Sequence, residues 1–288
     1  MFRAGRACAT LSEEGAKRAM AKRPPKVLVR RHALVTRISH WINVLAVSLL
    51  LMSGLQIFNA HPALYWGQDS TFQRPWASII MVERGGEPRG QTYVAGHRFD
   101  TTGVLGWSGE RRAFPSWATI PSYKSLADGR RWHFFFAWLF AINLLVYLAW
   151  ALVRGHLRRD LLPTRDEVAP RHLWSEIVSH ARLRFPKGEE ARRYNVLQKG
   201  AYLAVILVVF PLMVLTGLCM APAIGAAAPW LIDLFGGRQS ARTIHFLSAS
   251  LIVGFVLLHL AMVVASGAWN NIRSMITGRY AIETEARP

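Results

Sequence analysis

Four long apolar runs decide what this chain can become. Phe134–Val153, Ala201–Met220 and Phe246–Ala265 are each twenty residues long, and Ile42–Phe58 extends back through Ile38 and His40. Ala201–Met220 carries no charge, and His259 is the one ionisable group in Phe246–Ala265 apart from hydroxyls. Each run can cross about 30 Å of hydrocarbon and exceeds an ordinary core helix. Inside a bilayer every backbone polar group must be satisfied internally, which leaves helices for runs of this kind. The sequence therefore reads as an all-α integral membrane protein. Its core is a four-helix transmembrane bundle with spans at about 36–58, 131–153, 197–220 and 242–265. A long extracytoplasmic loop follows the first span. Residues 1–30 read as a basic cytoplasmic extension, 31–280 as the membrane domain and 281–288 as a cytoplasmic tail.

The formal net charge of +18 would point a soluble protein toward nucleic acid. Here the bases lie between spans, so they report topology and lipid headgroups, and no nucleic acid partner is expected. Residues 1–37 hold ten Lys/Arg, the 154–195 connection ten, and the tail after Ser266 three. The loop between the third and fourth spans holds only Arg238 and Arg242. The 60–131 loop holds nine, but over so long a loop the rule is weak. The balance places both termini and the 154–195 connection in the cytoplasm.

Cys8 and Cys219 lie in a basic tail and at a span end, so no disulfide is expected, and no CxxCH motif offers covalent haem attachment. Residues 1–26 lack an apolar core before Pro24-Pro25 and do not read as a cleaved signal. His61–Ser125 is too rich in Pro and Gly for a helix and too aromatic for plain disorder, so a folded loop over the membrane face is expected. Asp166–Arg182 reads as a short surface helix, Pro222–Gly237 as an interfacial or re-entrant piece, and Trp269–Gly278 as an amphipathic surface helix.

Chemistry is carried by four histidines, His40, His133, His245 and His259, each near an end of a span. Ionisable groups inside a membrane are expensive and mark function. His245 and His259 are fourteen residues apart, almost four turns, so they share one face roughly 21 Å apart. With the amino terminus inside, His40 and His259 fall near the cytoplasmic face, and His133 and His245 near the outer face. Two imidazoles from facing helices can sandwich one haem iron, saturating it for electron transfer rather than oxygen activation. Arg37, Arg130 and Arg242 each precede one of these histidines by three residues, on the same helix face, and Arg131 adds a fourth base. An Arg so placed can pair with a haem propionate. Two b haems are the predicted cofactors. The competing reading is a haem-free transporter using protonatable histidines, but such relays usually include Asp or Glu within the spans, and these spans have none. His32, His61, His97, His156, His172 and His180 lie outside the spans and read as solvated or loop-structural.

The third span brings no histidine. It opens with Tyr194, Asn195, Gln198 and Lys199 at the cytoplasmic edge. Amides there could bond a quinone carbonyl, or could simply anchor the span among headgroups. Both readings stand on position alone.

Taken together, RISHW (Arg37–Trp41), RRWHF (Arg130–Phe134), YNVLQK (Tyr194–Lys199), RTIHF (Arg242–Phe246) and His259 resemble the bacterial cytochrome b561 / Ni-hydrogenase-type family. These are four-span dihaem subunits of formate dehydrogenase, Ni,Fe-hydrogenase and thiosulfate reductase. The resemblance covers about residues 30–280. It implies that His40, His133, His245 and His259 ligate two b haems. It also implies a menaquinone or ubiquinone site beside Tyr194, Asn195 and Gln198, although Leu197 stands where the formate dehydrogenase branch has glycine. HPALYWG and the long loop look more like the thiosulfate reductase branch, some of whose members accompany an extracytoplasmic molybdopterin oxidoreductase. The expectation is a respiratory electron-transfer subunit in the bacterial inner membrane, with no catalytic residues of its own.

Overall fold

The computed structural model describes residues 26–182, 184 and 194–283. Cys8, most of the basic extension and the last five residues lie outside the described residues. Four membrane-length helices are present: Leu34–Phe58, Leu126–Val153, Val196–Met220 and Arg238–Ala265. The expected spans are thus all found, with earlier starts than hydropathy alone gives.

The early starts have local causes. The second span begins at a polar cap rather than at its first apolar residue. The Ser125 hydroxyl accepts from the Asp128 amide at 3.2 Å, and the Asp128 carboxylate sits in the first turn, where the helix dipole favours it. Asn195 opens the third span in the same way, its side-chain oxygen accepting from the Gln198 amide at 2.9 Å. Within that span Val205–Val209 is a π-helical turn just ahead of Pro211. Proline has no amide hydrogen and crowds the preceding carbonyls, so a widened turn absorbs the mismatch.

The first and second spans pack along each other, as do the third and fourth, giving two helix pairs. A buried apolar layer joins the pairs at mid-depth: Ala46, Phe136, Phe140, Leu144, Val205, Phe210 and Ile252. Phe140 and Phe210 meet edge to face with centroids 4.9 Å apart. A polar lock fixes the first pair. The Ser39 hydroxyl donates to Asn143 Oδ1 at 2.8 Å, and Asn143 Nδ2 donates to the Ser39 carbonyl at 3.1 Å and Asn43 Oδ1 at 2.8 Å. With no water to compete, these bonds set the register of the two helices.

The 61–125 segment is folded, as expected, and it is a β structure. Strands β2 (Ala63–Leu64), β3 (Ala77–Arg84), β4 (Glu87–Val94) and β5 (His97–Asp100) form an antiparallel sheet in that order. β6 (Gly106–Trp107) pairs with β7 (Arg111–Arg112). The β3–β4 hairpin turns at Gly85-Gly86, both at positive φ, as a two-residue turn between twisted strands requires. Phe58, Leu64, Ile79 and Ala113 pack the sheet onto the end of the first span, with Phe246 of the fourth alongside.

The HPALYWG stretch straps across the start of the fourth span. The Gly67 carbonyl accepts from the amides of Gln239 and Ser240, the Gly67 amide donates to Ser240 Oγ at 2.8 Å, and Thr243 Oγ1 donates to the Tyr65 carbonyl at 2.6 Å. Gly237 makes this approach possible. Its φ is +115°, and a Cβ there would stand 2.4 Å from the Gly67 oxygen. Gly237→Ala should therefore cost about 2 kcal/mol or more and lower the melting temperature in detergent. An unchanged melting temperature would show the strap to be dispensable.

At the other end, β1 (Lys26–Arg30) pairs antiparallel with β8 (Arg279–Glu283), so both flanks of the bundle meet on one face. The helix Ala268–Thr277 lies beside them, and Pro170–Ala181 forms the short helix expected in the 154–195 connection. Pro222–Gly237 is two short helices, Pro222–Ala227 and Pro229–Leu234, packed around Cys219 and Ala241.

Candidate functional site

The four intramembrane histidines come together in two pairs, at the two ends of the bundle. His40 of the first span faces His259 of the fourth, with ring centroids 6.3 Å apart and planes inclined at 58°. His133 of the second faces His245 of the fourth, again at 6.3 Å, with planes at 63°. All four rings are half-buried. The fourth span supplies one ring to each pair, and Ile252 of the apolar layer lies midway between them in sequence.

This spacing fits a shared metal. A metal–imidazole bond of about 2 Å, added to the reach from nitrogen to ring centre, puts two trans imidazole centroids about 6 Å apart. Among the described residues no group of three or more His, Cys, Asp or Glu could hold a metal ion. Two opposed imidazoles with no third protein ligand suit an ion whose equatorial positions belong to a macrocycle, which is the haem case.

Second contacts define the rings of the pair nearest the sheet. His133 Nδ1 lies 3.1 Å from Ser53 Oγ, and His245 Nδ1 lies 3.0 Å from Thr216 Oγ1. Each hydroxyl gives its hydrogen to a carbonyl of its own helix, Ser53 to Leu49 and Thr216 to Leu212, both at 2.6 Å. The hydroxyl lone pair therefore faces the ring, so each Nδ1 carries the proton and each Nε2 keeps its lone pair. That is the tautomer a metal ligand needs. His40 Nδ1 is buried with no hydrogen-bond partner. Sequence reading missed Ser53 and Thr216. The signal was present as a hydroxyl residue followed by glycine, Ser53-Gly54 and Thr216-Gly217, near the same end of the first and third spans.

The arginines divide. Arg242 is partly buried, donates to the His61 carbonyl and lies 5.7 Å from the Phe58 ring. Arg37 donates to the Ile276 carbonyl, and its Nε is buried without a partner. Arg130 lies over Phe134 at 5.6 Å. Arg131 pairs with Asp128 at 3.1 Å, and its side chain is 81% exposed, which turns it away from the bundle. The expectation that Arg131 reaches a propionate is not what this arrangement favours.

At the third span's entrance the polar residues are engaged locally. Asn195 uses its oxygen as the helix cap and donates its amide to His180 Nε2 at 2.8 Å. Lys199 is buried and pairs with both oxygens of Glu167 at 2.8 Å. As they stand, Asn195 and Lys199 are both held by partners within the chain. Tyr194 meets His32 Nδ1 at 3.0 Å and packs with Tyr202, Tyr147 and Trp150.

Of the two roles expected for His32, solvated or loop-structural, burial leaves the structural one. Burial, reinforced by Arg31, lowers its pKa to about 4, and burial pushes the Tyr194 hydroxyl above its usual range. At neutral pH the tyrosine accordingly donates to a neutral imidazole. A depressed histidine pKa means that the unfolded chain protonates first. Stability is full above about pH 6.5 and falls as the pH drops toward 4, by at most about 3 kcal/mol. His32→Gln should flatten that acid limb, read as melting temperature against pH. An unaltered limb would mean that His32 does not govern it.

Membrane-length helices carrying facing imidazoles define the class, a helical membrane cytochrome of the b type. The chain belongs to the prokaryotic cytochrome b561 family, whose model matches residues 31–278. Two relatives carry informative names. An Azospira oryzae protein named "Putative protein-methionine-sulfoxide reductase subunit YedZ1" is 28% identical over 230 residues, covering 79% of this chain and 86% of that protein. A Cupriavidus necator protein named "Probable Ni/Fe-hydrogenase B-type cytochrome subunit" is 29% identical over 163 residues, covering 52% of this chain and 62% of that protein. No solved structure matches the chain. Family membership favours a cytochrome over the haem-free transporter.

Proposed function

We propose that this chain is a dihaem cytochrome b membrane-anchor subunit in a respiratory chain. In this reading it carries electrons between the quinone pool and an extracytoplasmic redox partner of the molybdopterin type. The observation that carries the proposal is the recurrence of one geometry at two depths, paired imidazoles with centroids 6.3 Å apart. When bound, b haem supplies reversible one-electron transfer at an iron with no open position.

The chain's own residues do the rest. His40 with His259, and His133 with His245, would hold the two haems. The Ala46, Phe136, Phe140, Leu144, Phe210 and Ile252 layer keeps water out between the two levels. Arg37 and Arg242 are the proposed propionate partners, with Arg130 able to swing from its exposed position. The face bearing the β2–β5 sheet is assigned to the extracytoplasmic side, where it would dock the partner. The relative named as a reductase subunit supports a redox enzyme in that role.

The face where β1 meets β8 is assigned to the bacterial cytoplasm, with both termini, by the weight of Lys and Arg there. A menaquinone or ubiquinone is proposed to bind at this face, beside Tyr194 and Gln198 and near His40 and His259. Asn195 would have to leave its cap to contribute. Adding a short-chain quinol to purified protein in proteoliposomes should bring up the absorption of reduced b haem within the mixing time. A protein that binds haem but is not reduced by any quinol would defeat the quinone part of this proposal.

A further inference from the structure

The two histidine levels are built differently. At the end nearest the sheet, one device occurs twice. Ser53-Gly54 on the first span serves His133 of the second, and Thr216-Gly217 on the third serves His245 of the fourth. In each case the hydroxyl meets Nδ1 at 3.0–3.1 Å. In each case a Cβ on the glycine would stand 3.4 Å from the ring's Cε1, so the ring lies against bare backbone. At the other end the neighbours are apolar. Phe255 stacks on His259 with centroids 5.9 Å apart, Trp41 lies edge-on to His40 at 5.3 Å, and His40 Nδ1 is unpartnered.

Serine and threonine in helices often do no more than bond their own carbonyl four residues back. Both hydroxyls do so here, to Leu49 and Leu212, each at 2.6 Å. That fact decides the direction of the second contact. Each hydroxyl's single hydrogen goes to a carbonyl, so the lone pair facing the ring accepts from Nδ1–H. An imidazole that donates at Nδ1 gains electron density at Nε2, becomes a stronger ligand and favours the oxidised metal.

We infer that Ser53 and Thr216 are positioning residues that hold the Nδ1 protons of His133 and His245 and so lower the reduction potential of the metal centre at that level. The inference rests on the proposed haem ligation. It assigns a separate, adjustable potential to the centre nearest the redox partner.

The test is a potentiometric titration of purified protein, with ferric EPR and haem content, on Ser53→Ala, Thr216→Val and Thr216→Ser. His259→Ala, keeping only the sheet-end haem, identifies which wave belongs to it. Ser53→Ala and Thr216→Val should each raise that wave's midpoint potential and alter its EPR signal, leaving the other wave in place. Thr216→Ser should keep the wild-type potential, because it keeps the hydroxyl. If Thr216→Val instead loses that haem, retention in Thr216→Ser supports the same assignment and loss in both overturns it. Unchanged potentials at full haem content in Ser53→Ala and Thr216→Val would overturn the inference while leaving haem ligation intact. Absence of b haem from the wild type would overturn the functional reading instead.

Discussion

His259→Ala should remove one of two haem equivalents and spare the other. The fourth span supplies a ring to each pair, but the pairs lie fourteen residues apart in sequence and share no side chain. Without His259, His40 keeps no opposed imidazole. His133 and His245 keep each other and their contacts to Ser53 and Thr216. The expected outcome is half the wild-type haem per chain and a single potentiometric wave. His245→Ala should give the complementary half, with the other wave remaining. Should His259→Ala retain both haems, the pairing across depth is wrong.

Arg112→Ala should loosen the sheet from the bundle. Arg112 is only 5% exposed. Its guanidinium donates to the Ser122 carbonyl at 2.6 Å, to Glu110 at 3.1 Å and to Gln56 Oε1 of the first span at 2.9 Å. Gln56 in turn donates to the Tyr123 carbonyl at 2.8 Å. Alanine would leave the Gln56 oxygen and the Ser122 carbonyl without this donor, at about 1–3 kcal/mol each. The sum, about 2–6 kcal/mol, is large for one substitution. Limited proteolysis should then cut the 61–125 segment while the four spans stay intact. Arg112→Lys should recover only part of the protection, because an ammonium cannot reproduce the fork. Wild-type resistance in Arg112→Ala would show that the sheet is held by its apolar contacts alone.

These two cases mark what the sequence made legible and what it did not. The spans were readable because hydrocarbon imposes one rule on every residue, and Ala201–Met220 or Phe246–Ala265 obeys it without interruption. The histidine pairs followed from helix geometry, since rise per residue fixes depth once the direction of each span is known. The sheet was hidden by its context. The EPRGQTYV strand contains Pro88 and Gly90, and ASIIMVER is a short apolar run that could equally begin a helix. Gly85-Gly86 was the available hairpin signal. Sequence left His32 open between solvated and loop-structural because burial comes from tertiary packing, here against Tyr194 across 162 positions of sequence. Asn195 shows the converse. Its type suits a ligand contact, yet capping a helix that begins at Val196 uses the same oxygen. The Ser53 and Thr216 contacts lie between these extremes, as the repeated hydroxyl–glycine pair is visible only once its partner histidines are placed.

Haem stoichiometry of the purified wild-type chain tests the central claim most directly. Pyridine haemochrome analysis against protein mass should return two haem b per chain, and reduction with dithionite should give b-type absorption bands. One haem per chain, or none, would contradict the account of two histidine pairs each closing on an iron.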